Sequence, residues 1–536
     1  MKDIAQTQCF KDFNRYNYVY IDKTEQIAAL LKNRRVFISR PRRFGKSLML
    51  DTIATLFEEG VEPCFKNTWI YDQWKDTRYP VLKLNFLKYT NEYDTYCQLF
   101  SQTIAVFGAS LHLDVCREKQ TPSVAMFNLL EKLNQASISV VILIDEYDAQ
   151  LTAHMDDPEL YEKFRIELRN MYGILKGDPC IRFLGITGVT RLKDVSIFSV
   201  GTDIMDLSYY SPVSDIAGFT RNELRKYYLD HIDLVISLDK GISRELITEE
   251  QRDEFLDRLS DEYDGYCFDD RNRKNVYSTW SVNCFFADAV SRQEVLFSNY
   301  WYENGGMPSV IVKYLQNHKI SLEDYAQDIC VDIDDFLNPG SLLSMKQEVL
   351  MFQAGYLTLC STVPDGGSVT LRIPNNEVKN SLTRLVSRKM FEGVRFSRSG
   401  AEKIFSQAPA AEIVEKLNAL MNTISYENYG SINEKTIQGM LHAFFIGADQ
   451  PVRTELQSAV GRSDIVLEYE KRRLVLELKY AEGENDCRTQ LQDAIVQIQT
   501  RRYGSLLPVK EELLQIALVF NGAKGVRQFT HYQTVD

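Results

Sequence analysis

An α/β protein is expected from three features of this 536-residue chain. Over residues 16–215 short apolar runs alternate with amphipathic stretches, a pattern that predicts a parallel sheet covered by helices. From 216 to 430 the strand signal fades and helical periodicity dominates. From 431 a helix, two strands, a second helix and a last strand make a small α/β unit. The chain is too long for one core, and these changes of texture divide it into segments 1–215, 216–290, 291–430 and 431–536.

In the first segment strands are expected at RVFIS (Arg35–Ser39), PVLKLNF (Pro80–Phe86), SVVILID (Ser139–Asp145) and IRFLGITG (Ile181–Gly188). Helices are expected at SVAMFNLLEKLNQA (Ser123–Ala136) and PELYEKFRIELRNMYGIL (Pro158–Leu175). TRNELRKYYLDHI and EEQRDEFLDRLSDEY continue as helices, and Thr220 with Glu223 has the form of a capping box. Segment 291–430 is mainly helical, with one strand pair, GYLTLC and SVTLRI, across Pro364-Asp365-Gly366-Gly367. The last segment reads as a helix (EKTIQGMLHAFFIG), strands SDIVLEYE and RLVLELKY, a helix (RTQLQDAIVQIQTRRY) and a strand (LQIALVF).

Composition narrows the function. The net charge of −12 excludes a chain that is basic as a whole, so any nucleic-acid contact must use a local patch. Ten cysteines without a C-x-x-C pair read as reduced, mostly buried thiols. The start, MKDIAQTQCFKDF, has no apolar signal-peptide core, and the longest apolar runs are strand-sized, far short of the ~20 residues of a membrane span. A cytoplasmic protein without membrane contact is expected.

Two constellations carry chemistry. In VFISRPRRFGKSLML (Val36–Leu50) a strand, a tight loop and a helix start meet at Gly45-Lys46-Ser47. Backbone N–H groups of such a turn cradle phosphates, so Arg43, Phe44, Gly45, Lys46, Ser47 and Leu48 are candidate nucleotide-binding residues. The lysine reaches the β- and γ-phosphates and the serine hydroxyl ligates Mg²⁺. Seven Lys/Arg and no acid lie between Lys32 and Lys46. The P-loop (Walker A) consensus also has a glycine where this chain has Arg40. About 100 residues on, VVILIDEYD ends an apolar strand in Asp145-Glu146, the Walker B arrangement. There Asp145 would hold Mg²⁺ through water and Glu146 would polarise the attacking water, at the sheet edge where α/β folds bind ligands. A third apolar strand ends at Thr187 and Thr190, with Arg191 beyond. Such a polar residue would sit between the phosphate loop and the acidic pair, and Arg191 is a candidate arginine finger or γ-phosphate sensor.

At the other end, Asp464 opens one strand and Glu477 and Lys479 share a face of the next. A two- or four-residue turn would place Asp464 opposite Glu477 or Lys479. Leu474, Leu476 and Leu478 take the opposite face. Two carboxylates hold a hard cation through oxygen, the cation polarises a phosphate and activates water, and the lysine stabilises developing charge. Asp464, Glu477 and Lys479 are therefore candidate catalytic residues of a Mg²⁺-dependent nuclease, with Glu434 on the preceding helix. Against this, residues 431–536 hold 13 Lys/Arg and 14 Asp/Glu, with Lys471-Arg472-Arg473 and Arg501-Arg502 the only local basic runs. Phosphate neutralisation drives nonspecific nucleic-acid binding, and no large basic excess is present.

The stretches YVYIDKTEQIAALLKNRRVFISRPRRFGKSLMLDTI, LIDEYDAQL and SIFS resemble the AAA-ATPase-like family of bacterial proteins, in which R-P-R-R-F-G-K-S is the usual loop. The resemblance extends through GFTRNEL, YDGYCF, GYLTL and IPNNEV. It implies an ATP-binding P-loop NTPase core over 1–215, with a helical lid over 216–290 and Tyr18–Lys23 near the base. SIFSVGTDIMDL departs from the asparagines usual in that loop. The C-terminal segment is similar to the PD-(D/E)XK nuclease superfamily, a restriction-endonuclease-like fold. The matching positions are Glu455, Gly461, Arg462, Asp464, Glu477, Lys479, Gln497, Ile498 and Tyr503, with Ser463 in place of the proline. This resemblance implies Asp464 and Glu477 as metal ligands, Lys479 as the catalytic lysine, Glu455 as a further carboxylate and Gln497 as a contact to substrate or water.

The expected function is ATP binding and hydrolysis coupled to cleavage of DNA or RNA phosphodiesters, with ATP and Mg²⁺ as cofactors. The alternatives are a nucleotide-gated interaction switch, with a protein partner on the middle helical region and a nuclease fold that only binds, or a structural protein with relic motifs. Such ATPases often assemble into oligomers.

Overall fold

The computed structural model describes all residues except 5–6, 90–91, 116–117, 194–202, 304–310, 312–327, 362, 364–366, 391–397, 423–432, 449, 459–460, 502–509 and 536. Tyr503, the Pro364–Gly366 turn and the start of SIFSVGTDIMDL lie outside the described residues. So do the side chains of Glu455, Gly461, Arg462 and Ser463. The chain forms two compact units, one running through Lys379 and the other from Asn380 to Asp536.

The first unit is built on a parallel sheet of β1 (Arg35–Ser39), β2 (Val81–Asn85), β3 (Val140–Asp145), β4 (Ile181–Gly188) and β5 (Met205–Asp206). Their spatial order is β2-β3-β4-β1-β5. All six residues of β3 are buried, as a Val/Ile/Leu run requires when helices cover both faces of a sheet. The helices Pro122–Gln135 and Pro158–Leu175 precede β3 and β4 in the chain and bury the stripes that the 3.6-residue periodicity marks.

Four helices, Arg221–Tyr227, Leu229–Lys240, Glu249–Tyr263 and Thr279–Arg292, share a core around Ile232, Leu256, Leu259 and Phe286, and Val19 and Ile21 join it from the N-terminal segment. The capping box is present: Glu223 N donates to Thr220 Oγ1, and Thr220 N donates to Glu223 Oε2 at 2.8 Å. Thr220→Ala is expected to lower stability by about 1 kcal/mol, read as a drop in melting temperature. A two-stranded pair joins β6 (Tyr266–Cys267) to β7 (Asn275–Val276).

The strand pair expected in the middle segment is part of a three-stranded antiparallel sheet, β8 (Ile329–Asp332), β9 (Thr358–Leu359) and β10 (Ser368–Arg372), in the order β8-β10-β9. β8 escaped notice because only Val331 of its four residues is buried, which leaves no hydrophobic period to read.

The second unit holds a mixed sheet of β11 (Val452–Ser458), β12 (Gly461–Glu468), β13 (Arg472–Ala481), β14 (Glu512–Asn521) and β15 (Gln528–Val535), in sequential order. β13 and β14 run parallel, joined through the helix Glu484–Arg501. Leu474, Leu476 and Leu478 face a core with Phe444, Phe445 and Leu417, while Val475 packs on the other face with Ala494 and Ile498. The two edge strands, β11 and β15, were not expected. Most of β15 is exposed or half-buried polar side chain, the usual composition of an edge that must not pair further.

Candidate functional site

The loop from Arg40 to Gly45 carries β1 into the helix Lys46–Glu59. Gly45 has φ +91°, the left-handed region that glycine occupies without steric cost. Lys46 Nζ donates to the carbonyls of Arg40 (3.0 Å) and Pro41 (3.1 Å) and lies 3.6 Å from Glu146 Oε1. Ser47 Oγ donates to Asp145 Oδ2 at 2.7 Å. Thr187 Oγ1 donates to Asp145 Oδ1 at 2.7 Å. β4 lies between β1 and β3 in the sheet, and for that reason its terminal threonine meets the acidic strand end.

Asn85, in register with Asp145, adds a contact at 3.4 Å; sequence reading passed over it, although an asparagine at the end of an apolar strand was a signal. Glu146 is buried with φ +51°, a conformation that costs a non-glycine residue roughly 1 kcal/mol and that clusters at functional sites. Burial pushes its carboxyl up, while Lys46 opposes the shift.

Arg40 explains the missing glycine. Its guanidinium is buried and donates to the carbonyls of Ser208 (2.5 Å), Ser214 (3.0 Å) and Ser39 (2.8 Å). It lies 4.4 Å over the Phe268 ring, and burial lowers its pKa to about 10. The side chain ties the start of the loop to the segment after β5. Thr190 donates from both N and Oγ1 to Asp148 Oδ2. Arg191 donates from Nε to Asp206, a contact that a γ-phosphate-sensing role would require it to exchange.

A cavity of about 490 Å³ opens from this loop, within the size range of ligand pockets. Lys46, Ser47 and Glu146 give its polar end, and Val19, Ile21, Phe219 and Trp280 line the apolar remainder. The Tyr18–Lys23 stretch therefore borders the same cavity as the loop, through Val19, Tyr20, Ile21 and Lys23. Leu48 and Phe44 also line it.

In the second unit the pairing Ile465↔Leu476 sets Asp464 beside Glu477, one of the two registers anticipated. Asp464 Oδ2 accepts from Leu478 N at 2.8 Å. Lys479 Nζ lies 3.2 Å from Glu434 Oε1 and 3.6 Å from Glu477 Oε1. Burial pulls Lys479 down, but Glu434, Glu477 and Asp464 outweigh it and hold the ammonium above its ordinary value. Glu434, in the first turn of the helix Glu434–Gly447, thus belongs to the cluster. Glu477 has no exposed side-chain surface, and neither of its carboxylate oxygens has a hydrogen-bond partner. Burial, then Asp464, push its pKa up to about 8. A buried carboxylate without donors is costly unless a cation or proton compensates it. The donor set Asp464 and Glu477 is all oxygen, and it fits a hard divalent ion.

The basic run at 471–473 is not a free patch. Arg472 is buried against Glu512 and the carbonyl of Ala408, and Arg473 is buried against Glu468. Gln497 is half-buried on the helix Glu484–Arg501. Among the described residues no helix is long and apolar enough to cross a membrane, and nine cysteines are free thiols, five of them buried.

Residues 5–198 match the family described as AAA-ATPase-like, a predicted AAA-ATPase, and residues 432–530 match the PD-(D/E)XK nuclease superfamily. An uncharacterized protein in the vnfD 5′ region of Azotobacter chroococcum mcd 1 is 30% identical over 379 residues, which cover 68% of this chain and 66% of that protein. This chain thus spans just under two thirds of that relative. Among solved structures, the Aeropyrum pernix ORC1 protein in complex with DNA aligns at 13% identity and TM-score 0.24, over 68% of this chain and 93% of that one. The Aeropyrum pernix ORC2 protein aligns at 10% identity and TM-score 0.26, over 72% of this chain and 99% of that one.

Proposed function

We propose that this chain, which pairs a domain of the predicted AAA-ATPase family with one of the PD-(D/E)XK nuclease superfamily, is an ATP-controlled, Mg²⁺-dependent nuclease acting on nucleic-acid phosphodiesters. The observation that carries the reading is Glu477: a buried carboxylate whose two oxygens accept no hydrogen bond, beside Asp464 and 3.6 Å from the charged Lys479. Such a centre favours a bound cation over an empty one.

Asp464 and Glu477 would hold Mg²⁺, which when bound polarises the scissile phosphate and acidifies its water. Lys479, held charged by Glu434, faces the same centre and stabilises negative charge growing on the phosphate. In the first unit, the turn at Gly45 and the first residues of the helix Lys46–Glu59 would cradle the ATP phosphates. Ser47 and Asp145 would hold a second Mg²⁺, and Lys46 would exchange its two loop carbonyls for phosphate oxygens. Glu146 would orient the attacking water, and the apolar end of the cavity would take the base. Thr187 keeps Asp145 in place, and Arg191 would sense the γ-phosphate after leaving Asp206.

Cleavage of single-stranded DNA, double-stranded DNA and RNA, each with Mg²⁺ and with or without ATP, tests the reading. Wild type is expected to cut at least one substrate, and Asp464→Ala and Lys479→Ala are expected to lose about 10³-fold in rate. Absence of cleavage under every condition would end the nuclease reading.

The neutral charge balance of the second unit and the internal pairing of Arg472 and Arg473 favour one alternative, a nucleotide-gated switch whose nuclease-like unit only binds. Function lost in Lys46→Ala and kept in Glu477→Ala would select it.

A further inference from the structure

Three motifs of the first unit, YDGYCF, GYLTL and IPNNEV, have no role in the reading above, yet the first two pack against the phosphate loop and the third packs against the residues around it. Phe44 lies edge-on to Tyr266 and Phe268, with ring centroids 4.8 and 5.3 Å away. Tyr266 stacks on Trp301. A Cβ on Gly355 would meet Pro41 and Trp301 at 2.9 Å, and one on Gly265 would meet the Pro374 carbonyl oxygen at 2.2 Å. Close approach explains both glycines.

Within this collar Arg43 is held at both ends. Its backbone, at φ +72°, offers a carbonyl that accepts from Thr279 Oγ1 (2.7 Å) and Trp280 N (3.3 Å), at the start of the helix Thr279–Arg292. Its guanidinium donates to the carbonyls of Tyr300 (2.7 Å) and Trp301 (2.9 Å) and sits 5.2 Å over the Trp280 ring. One buried carboxylate joins the two holders. Glu377 Oε2 accepts from Ser281 Oγ at 2.8 Å, on the helix that grips the Arg43 carbonyl. Glu377 Oε1 accepts from Trp301 N at 2.8 Å, in the segment that grips the guanidinium.

We propose that Glu377 is a positioning residue of the nucleotide site: by bridging Ser281 and Trp301 it fixes Arg43, and through Arg43 the conformation of the phosphate loop that leads into Gly45, Lys46 and Ser47. The proposal rests on the nucleotide reading of that loop. A residue in the left-handed region reverts to commoner angles unless its surroundings hold it, and Arg43 immediately precedes the Phe44-Gly45 turn. The cradle's N–H groups keep their aim only while Arg43 is held. Burial pushes the Glu377 carboxyl up to about 8 although Ser281, Trp301, the Arg43 charge and Tyr300 all oppose the shift, so a neutral amide of the same shape is an adequate substitute. Glutamine can accept from Trp301 N and donate to Ser281 Oγ. Aspartate, one methylene shorter, cannot span both.

The experiment is calorimetric titration of the full chain with Mg·ATP, in wild type, Glu377→Gln, Glu377→Asp, Arg43→Ala and Arg43→Ala/Glu377→Asp, with thermal melts on each. Glu377→Gln is expected to stay within about threefold of wild-type affinity, and Glu377→Asp to bind about tenfold more weakly, the upper end of what one lost hydrogen bond costs. Arg43→Ala is expected to mask the Glu377→Asp effect, since both act through one contact chain. Wild-type affinity in Glu377→Asp, or full additivity with Arg43→Ala, would overturn the positioning role while leaving the nucleotide reading intact. No binding by wild type would overturn that reading and this proposal with it. A variant whose melting temperature has collapsed is replaced in the cycle by Ser281→Ala, which removes one of the same two donors.

Discussion

Lys46→Ala is expected to weaken ATP binding by roughly 100-fold, the loss of two charge-assisted hydrogen bonds to phosphate. The ammonium is buried, donates to the carbonyls of Arg40 and Pro41 and faces Glu146 at 3.6 Å. Those carbonyls belong to the loop itself, so on the proposed reading phosphate oxygens would replace them. Alanine also removes the larger of the two charges, Lys46 and Arg42, that oppose the upward shift of Glu146 by burial, which leaves that carboxyl more readily protonated. Titration calorimetry measures the affinity loss. A melting temperature close to wild type in the absence of ATP would show that the loss belongs to the site and not to the fold. If Lys46→Ala binds ATP as wild type does, the loop is not a nucleotide cradle.

Glu477 gives the second large effect, and its sign follows from its pKa. A carboxyl that titrates near 4.5 when unfolded and at about 8 when folded binds more protons in the folded state between those values. Stability of the metal-free chain therefore falls as pH rises through that window and levels off above it. A shift of this size corresponds to roughly 4–5 kcal/mol. Glu477→Gln keeps the shape and removes the titration, so with chelator present it is expected to melt higher than wild type above the folded pKa. The two are expected to converge at acid pH. Mg²⁺ is expected to raise the wild-type melting temperature more above the folded pKa than below it, because binding at lower pH must first expel the proton. The glutamine variant is expected to lose that response together with cleavage. A wild-type melting curve indifferent to Mg²⁺ at every pH would count against a cation at Glu477.

Much of this was legible before any coordinates. The strands Arg35–Ser39 and Ile181–Gly188 and the helices Pro158–Leu175 and Glu434–Gly447 have the bounds that their apolar periods imply. Ser47 and Asp145, both assigned to Mg²⁺ from their motifs, lie 2.7 Å apart. Asp464, Glu477 and Lys479 converge on one sheet face as their parity required. What escaped has a common cause. β8 and β15 carry little buried apolar surface, so their strand character comes from pairing with a neighbour, which no local window contains. Arg472 and Arg473 read as a basic run, because only the fold brings Glu512 and Glu468 to them.

The sequence by itself determined the order of the main elements, which faces they bury, and the residue types that two clusters bring together, because hydrophobic period and glycine-lysine-serine or acid-acid-lysine spacing are local properties. Tertiary structure alone decided what each charged group does with its charge. It turned Arg40 inward to stitch the loop to Ser208 and Ser214, set Arg191 on Asp206, and placed Glu377 between Ser281 and Trp301. It also left Glu477 buried with no donor. A charge's role depends on which distant groups desolvate or neutralise it, and those neighbours, 15 residues away for Asp206 and 168 for Ser208, are set by chain topology.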